Sequence, residues 1–156
     1  ARTGYLGKPF RLVKFSTLRD VLPGESEEEN QRKRLTAIGK FLRRFSFDEL
    51  PQLWNVLKGE MSIVGPRPLL HEYAALYSPE QKKRFEVKPG ITGWAQINGR
   101  NAISFTERFV LDVWYVEHRS FGLDLKIIWK TALKAFSGKD VFVDAATTSA
   151  RFDGKN

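Results

Sequence analysis

The stretch that decides the fold is IGKFLRRFSFDELPQLWNVLKGEMSIVGPRPLL, residues 38–70. Its first part predicts an amphipathic helix over Leu35 to Phe45, because apolar side chains recur there at i, i+3, i+4 and i+7. Further on, Ser62 to Val64 is typical of a short strand, and the turn Gly65-Pro66-Arg67-Pro68 follows it directly. The stretch therefore predicts a mixture of helix and strand. The apolar positions of the helix are Ile38, Phe41, Leu42 and Phe45.

Between these elements, the segment Ser46-Phe47-Asp48-Glu49 matches a helix-capping box ahead of a second apolar series. Because proline prefers the first turn of a helix, the alternative is a helix that begins at Pro51. Adjacent carboxylates at a helix N-terminus lie in a positive potential that favours their ionised form. Asp48 is thus a candidate covalent nucleophile and Glu49 a candidate Mg²⁺ ligand. Taken in isolation, such a segment is more often a plain cap.

The turn Gly65-Pro66-Arg67-Pro68 holds one arginine between two prolines, which fix φ and stiffen the loop. A rigidly held guanidinium suits bidentate recognition of phosphate. Taken in isolation, this pattern more often marks a structural turn with a surface arginine.

Two acidic residues lie on the predicted C-terminal helices. Asp112 flanks the apolar face of a helix that a capping box at Ser104-Phe105-Thr106-Glu107 opens and that runs to about Glu117. A carboxylate there needs a partner, either a metal or, more often, an arginine. Asp124 lies near the start of the last helix, where a cap is the default interpretation.

The last predicted helix, Asp124 to Phe136, has an apolar side and a lysine stripe. A basic amphipathic helix with Trp and Phe suits a membrane interface, and the alternative is a surface helix packed on its own core. The apolar side consists of Leu125, Ile128, Trp129, Ala132 and Phe136, and the stripe of Lys126, Lys130 and Lys134.

Composition narrows the possible partners. The 156 residues fit one domain, and a hydrophobic fraction of 42% is enough for a core. A net charge of +8 implies an anionic partner, namely nucleic acid, anionic lipid or a phosphorylated substrate. The absence of cysteine excludes a disulfide framework and a thiolate metal site. No apolar run approaches the ~18 residues of a membrane span, and the start at Ala1 without Met predicts a preceding segment outside this sequence.

Together these segments resemble the bacterial sugar transferases, or monotopic phosphoglycosyl transferases, which start glycan assembly on undecaprenyl phosphate. The resemblance covers most of Gly7 to Phe136, with the motifs in the order of the family. Within them, Phe47 stands where leucine is usual. The matching stretches are KPFRLVKFSTL at 8–18, the stretch 38–70, YSPEQKKRFEVKPGITGWAQINGRNAISF at 77–105 and LDVWYVEHRSFGLDLKI at 111–127.

The resemblance implies Asp48 as the nucleophile and Glu49 at Mg²⁺, with Arg43 and Arg67 as further catalytic residues. It also implies substrate-binding roles for Arg67, Arg100, Asp112 and Asp124. The implied reaction moves a hexose-1-phosphate from a UDP-sugar to polyprenyl phosphate through an aspartyl intermediate and releases UMP. The implied location is the lipid surface of the bacterial inner membrane, on its cytoplasmic face, reached with the help of a hydrophobic N-terminal segment that this sequence lacks.

The expected fold is a mixed α/β (α+β) domain, mostly helical, with a small N-terminal β element and amphipathic membrane-interface helices. It occupies residues 1–139, and 140–156 form a tail with little regular structure. One alternative is a basic nucleic-acid-binding module, which is disfavoured because the candidate arginines lie beside carboxylates and rigid turns. The other is a non-catalytic relative, which is disfavoured because the candidate catalytic residues are all present. No nucleic-acid partner is therefore expected.

Overall fold

Helices dominate the computed structural model of the chain, which describes residues 1–21, 34–99, 103–137 and 152–154. Within these ranges the fold is a mixed, mostly helical α/β domain, as the sequence predicts. Short 3₁₀ turns also occur, one before the first helix at Tyr5–Gly7 and others between helices at Phe47–Glu49, His71–Ala75 and Lys83–Glu86. The helices are α1 (Ala37–Arg44), α2 (Gln52–Leu57), α3 (Pro79–Lys82), α4 (Trp94–Asn98), α5 (Phe105–His118) and α6 (Phe121–Ser137).

Two small sheets of two strands each complete the described part of the fold. The N-terminal pair, β1 (Arg2–Thr3) and β2 (Pro9–Phe10), is antiparallel and confirms the small β element expected near the N-terminus. The second pair, β3 (Ser62–Val64) and β4 (Gly90–Thr92), is parallel, with Ser62 opposite Gly90 and Val64 opposite Thr92. The turn that carries Arg67 leaves the end of β3, so the second sheet positions that arginine.

Serine caps fix the starts of two helices. Ser78 and Ser104 each accept a hydrogen bond from the backbone three residues on, and Gln81 and Glu107 bond back, so both boxes are complete. The capping box predicted at Ser46 is wrong. Ser46 adopts a left-handed conformation with φ of 57° and makes no side-chain cap bond, so Asp48 and Glu49 lie on a 3₁₀ turn and α2 begins after Pro51.

Two clusters of buried side chains form the core. The first lies between the β3–β4 sheet and helices α4, α5 and α6, and comprises Val64, Val87, Ile97, Tyr115 and Ile127. The second is aromatic and comprises Tyr73, Tyr77, Phe109 and Phe152. Phe152 belongs to the predicted tail, most of which lies outside the described residues, yet its side chain is 3% exposed. This part of the predicted tail is therefore integrated into the core.

The apolar sides of α1, α2 and α6 face outward. The exposed fraction is 73% for Ile38 and 78% for Leu57. On α6, Ile127 is completely buried, whereas Trp129 on the predicted apolar side is 66% exposed. The helix therefore packs on the core through Ile127, as the alternative expects, while the predicted apolar side faces outward at Trp129. None of the described helices is long and apolar enough to cross a membrane. The exposed apolar residues of α1, the following 3₁₀ turn and α2, here named the α1–α2 surface, are Ile38, Phe41, Phe47, Leu50, Leu53, Trp54 and Leu57.

Candidate active site

Asp48 lies on the 3₁₀ turn between α1 and α2, with 9% of its surface exposed. Burial raises the pKa of its carboxyl above the ordinary range for aspartate, and the neighbouring Glu49 raises that pKa further. The positive charges of Lys14 and Arg43 act in the opposite direction. Asp48 is thus a partly desolvated carboxyl beside two cations, an environment suited to a nucleophile that must approach anionic phosphate.

Glu49 forms an ion pair with Arg67, which brings two of the predicted site residues together. Arg67 Nη2 donates to Glu49 Oε1 at 2.6 Å, and Nη1 donates to Oε2 at 3.4 Å. Both side chains are partly open to solvent, so a ligand can reach them. The ion pair connects the turn after β3 to the turn that carries Asp48.

The backbone around Arg67 is held by close packing against the segment Pro89–Gly93. The Gly65 amide donates to the Thr92 carbonyl at 2.9 Å, and the Gly90 amide donates to the Pro66 carbonyl at 3.0 Å. A Cβ at Gly65 or Gly90 would overlap backbone atoms of the facing segment, so only glycine permits this approach. The two prolines around Arg67 restrict its backbone further.

Residues 11–17 form an arm without helix or strand, which brings Lys14 close enough to Asp48 for their charges to interact. Asn55 holds the start of this arm, since it accepts from the Val13 amide at 3.0 Å and donates to the Arg11 carbonyl at 2.9 Å. The Phe15 amide donates to the backbone carbonyl of Asp48 at 3.0 Å. These bonds fix the arm beside the candidate nucleophile.

Two basic residues reach the site from the arm and α1. Arg43, which the family resemblance implies, donates from Nε to Thr17 Oγ1 at 2.9 Å. No pattern in the sequence marks Lys14 as a site residue. Partial desolvation and the charge of Arg43 lower the pKa of Lys14, whereas Asp48 opposes that change. Lys14 belongs to the family motif KPFRLVKFSTL, which could have indicated a functional role, but no spacing rule connects this lysine to Asp48.

Asp112 forms a buried ion pair. Its Oδ2 accepts from Arg84 Nη2 at 2.7 Å, and the side chains of Arg84 and Asp112 are 2% and 1% exposed. The residues alone favoured an arginine partner, and the structure confirms that. The substrate-binding role implied by the resemblance stays a prediction, because the carboxylate contacts Arg84 inside the protein. Arg84 itself was not singled out.

Asp124 lies in the first turn of α6, where it accepts a hydrogen bond from the Tyr115 hydroxyl at 2.7 Å. This bond joins α5 to α6. Burial raises the pKa of the Tyr115 hydroxyl, and the bond to Asp124 raises that pKa further. The cap of α6 is provided by Ser120, whose Oγ accepts from the Leu123 amide, and not by Asp124. Arg100, the remaining candidate, lies outside the described residues.

A magnesium ion fits the acidic pair if it arrives with a phosphorylated substrate. Among residues 1–21, 34–99, 103–137 and 152–154, no group of three acidic or imidazole side chains is arranged to hold a metal unaided. Mg²⁺ is commonly bound by one or two carboxylates together with substrate phosphates. Asp48 and Glu49 provide two adjacent carboxylates for such a shared site, and binding there requires Glu49 to share or exchange its bond with Arg67.

Comparison with known proteins assigns the family. The profile of the bacterial sugar transferases matches residues 1–138. An uncharacterized sugar transferase of Bacillus subtilis, EpsL, is 52% identical over 153 residues, which cover 98% of this chain and 76% of the relative. The chain therefore belongs to the bacterial sugar transferase family, and the resemblance read from the motifs is confirmed.

Longer relatives carry names that specify a reaction. The undecaprenyl-phosphate galactose phosphotransferase of Salmonella typhimurium is 38% identical over 148 residues, which cover 84% of this chain and 31% of that protein. The UDP-galactose-lipid carrier transferase of Erwinia amylovora is 40% identical over 147 residues, which cover 83% of this chain and 31% of that protein. The chain thus spans under a third of these two relatives and about three quarters of the Bacillus protein.

Proposed function

We propose that this chain transfers a hexose-1-phosphate from a UDP-sugar to polyprenyl phosphate and releases UMP. The observation that carries the proposal is that cations act on both members of the acidic pair. Arg67 binds Glu49, and the charges of Lys14 and Arg43 act against the rise that burial causes in the pKa of Asp48. A carboxylate nucleophile with cations around it suits substrates that are phosphates themselves. The names of the Salmonella and Erwinia relatives agree with this substrate class.

In the first step, the ionised carboxylate of Asp48 attacks the phosphorus that bears the sugar. A bond from oxygen of Asp48 to phosphorus forms, the bond from that phosphorus to the UMP oxygen breaks, and UMP leaves with the electron pair. Arg67 and Arg43 balance the charge that shifts between the phosphates. When bound, Mg²⁺ supplies charge neutralisation at the diphosphate, and Glu49 is the residue that would hold it.

In the second step, an oxygen of polyprenyl phosphate attacks the same phosphorus. The bond to Asp48 breaks, the carboxylate is restored, and the sugar is left on a polyprenyl diphosphate. Both steps use one site in turn, because each substrate presents a phosphate to the same nucleophile and the same cations. The reaction is therefore of the ping-pong type.

We infer that the chain acts on the cytoplasmic leaflet of the inner membrane. The acceptor lipid requires a site near a bilayer, and the exposed apolar α1–α2 surface supports docking on a membrane. Phe47 and Leu50, which flank the acidic pair in sequence, both belong to this surface. Ring contacts join its parts, since the centroids of Phe41 and Phe47 are 6.2 Å apart. An apolar face beside basic residues binds anionic membranes through both burial and charge.

A UMP-release assay on the full-length protein tests the reaction, with a panel of UDP-sugars and with or without polyprenyl phosphate. We expect sustained UMP release from one or a few UDP-sugars when the acceptor is present, and about one equivalent per enzyme when it is absent. EDTA should stop the release and added Mg²⁺ should restore it. Absence of UMP release with every UDP-sugar would overturn the proposal, whereas full activity in EDTA would remove only the metal role of Glu49.

A further inference from the structure

Arg84 lies directly beneath the turn that carries Arg67, on the 3₁₀ turn Lys83–Glu86. Its Nη2 donates two hydrogen bonds of 2.7 Å, one to the backbone carbonyl of Arg67 and one to Oδ2 of Asp112. One guanidinium nitrogen thus connects a carboxylate of α5 with the backbone of a residue in the candidate site.

Aromatic rings fix the guanidinium of Arg84 in place. Its central carbon lies 5.1 Å from the ring centroid of Phe109 and 5.6 Å from that of Tyr77. Arg84 Nη1 also donates to the Tyr77 hydroxyl at 3.3 Å. A planar cation held by rings and by hydrogen bonds in different directions has little freedom to move.

We propose that Arg84 and Asp112 are positioning residues, which hold the backbone of Arg67 so that its guanidinium stays at Glu49. The proposal rests on the function proposed above. The sequence of contacts runs from Asp112 to Arg84, from Arg84 to the Arg67 carbonyl, and through the Arg67 side chain to the acidic pair.

The physical reason for a charged pair at this place is the geometry of the donor. Pro68 restricts the backbone of Arg67 to extended conformations, and the hydrogen bond from Arg84 to the Arg67 carbonyl holds the turn within that range. Arg84 makes this bond with one of its planar donors, and Asp112 supplies the negative charge that a buried guanidinium requires. A lysine has no planar fork and does not reproduce both bonds in this arrangement.

The first test removes both charges together in Arg84→Met/Asp112→Leu. A single substitution would leave the other charge buried and unpaired, whereas replacing both members of a buried pair by apolar residues often preserves stability. We expect a Tm close to that of the wild type and a fall in kcat for UMP release of roughly 10- to 100-fold, because displacing a positioned group by ~1 Å costs on the order of 10²-fold. The matched control is Lys83→Met, which removes a neighbouring cation at an exposed ion pair. It should keep wild-type activity.

The second test asks whether the loss acts through Arg67. In an Arg67→Ala background, the double substitution should cause no further loss of UMP release, because the group that it positions is already gone. A core defect, or a direct role of Asp112 in binding substrate, would instead multiply the two losses. Multiplied losses, or full activity of the double variant in the wild-type background, would overturn the proposal.

A third measurement does not depend on turnover. Hydrogen–deuterium exchange of the full-length protein should become faster in the peptide that covers 64–72 when Arg84 and Asp112 are replaced, and should stay unchanged in α6. Unchanged exchange at 64–72 would overturn the proposal even if the wild type released no UMP. Failure of the positioning role is thus distinguishable from failure of the proposed reaction, which the wild-type assay alone decides.

Discussion

Arg67 and Glu49 form a forked ion pair, in which Nη2 and Nη1 of the arginine face the two carboxylate oxygens at 2.6 and 3.4 Å. The pair joins a turn fixed by prolines and glycine packing to the turn that carries Asp48. Two segments that are 18 residues apart in sequence are thereby placed on either side of one site. The geometry matters because a guanidinium group can exchange a carboxylate for a phosphate and again donate two parallel hydrogen bonds.

Arg67→Lys should therefore be nearly as damaging as Arg67→Ala. An ammonium is a point charge and does not reproduce the fork, so we expect kcat/KM for UMP release to fall by about 100-fold in both variants. Arg44→Lys is the matched control, since Arg44 is exposed on α1 and its guanidinium lies over Phe45. Activity of Arg67→Lys close to that of the wild type would show that Arg67 supplies only charge.

Asp48→Asn should abolish turnover while the protein stays folded. An amide has nearly the same shape but is a poor nucleophile, so UMP release should fall by at least about 10³-fold, as for other covalent nucleophiles. Mass spectrometry of the wild type incubated with a UDP-sugar, without acceptor, should find a phosphosugar on the peptide that contains Asp48. A phosphosugar adduct on another residue of the active enzyme would show that Asp48 is not the nucleophile.

The acid limb of the pH–rate profile should report the ionisation of Asp48. Because its pKa is raised, the carboxylate is protonated, and activity is lost, at a higher pH than for an ordinary aspartate. Lys14 opposes this rise, so Lys14→Met should move the acid limb of kcat/KM upward by roughly one pH unit or less. A limb that stays in place or moves to lower pH would show that another group controls it. Lys8→Met, in the same N-terminal region, is the control for the loss of one positive charge.

Local sequence patterns predicted the elements whose determinants lie within a few residues. The start of α5 was predicted correctly because Ser104 meets its partner Glu107 three residues further on. The same pattern failed at Ser46, where Glu49 would have to reach back to the backbone but is held by Arg67 instead. A long-range ion pair overrode a local cap, and nothing within the motif indicates such a competitor.

The family motifs mark Asp48, Glu49 and Arg67, so these residues of the candidate site could be predicted from the sequence. The contacts that hold them in place could not. Lys14 approaches Asp48 only because Asn55 and the backbone of Asp48 hold the arm, and these contacts span long stretches of sequence. The position of Asp112 beside the apolar face of α5 predicted an arginine as its partner but did not identify Arg84. Phe152 is a lone aromatic in a polar segment, so no periodicity indicates that it is buried.

Phe152→Ala should destabilise the protein by about 3–5 kcal/mol, the usual cost of removing a buried phenylalanine. Its ring lies against those of Tyr77 and Phe109, with centroids 5.5 and 5.1 Å away, so truncation leaves a cavity in the aromatic cluster. Denaturant unfolding followed by tryptophan fluorescence measures the change. Phe121→Ala, at a position that is 79% exposed, should change stability by less than about 0.5 kcal/mol. Equal effects of the two substitutions would contradict the integration of Phe152 into the core.

Binding to anionic vesicles should depend on the exposed apolar faces, and most strongly on the α1–α2 surface. Phe47 and Leu50 place that surface next to the acidic pair, so inserting it into the headgroup region brings the site to the level of a lipid phosphate. The exposed side of α6 adds Trp129, Lys126 and Lys130, but no described contact connects it to Asp48. Basic residues near an anionic surface contribute about 1 kcal/mol each, so binding should weaken with salt without vanishing.

Co-sedimentation of the 156 residues with vesicles of varied charge, over a range of salt concentrations, separates the two faces. Ile38→Ser/Leu57→Ser should lower partitioning about tenfold or more, because each substitution removes an apolar side chain worth roughly 1.5–3 kcal/mol when fully buried. Leu125→Ser/Trp129→Ser should lower it less, and Val110→Ser, an exposed apolar position on α5, should leave it unchanged. If only the α6 variant lost binding, α6 would be the docking face, and if the wild type did not bind even at low salt, neither face would dock unaided.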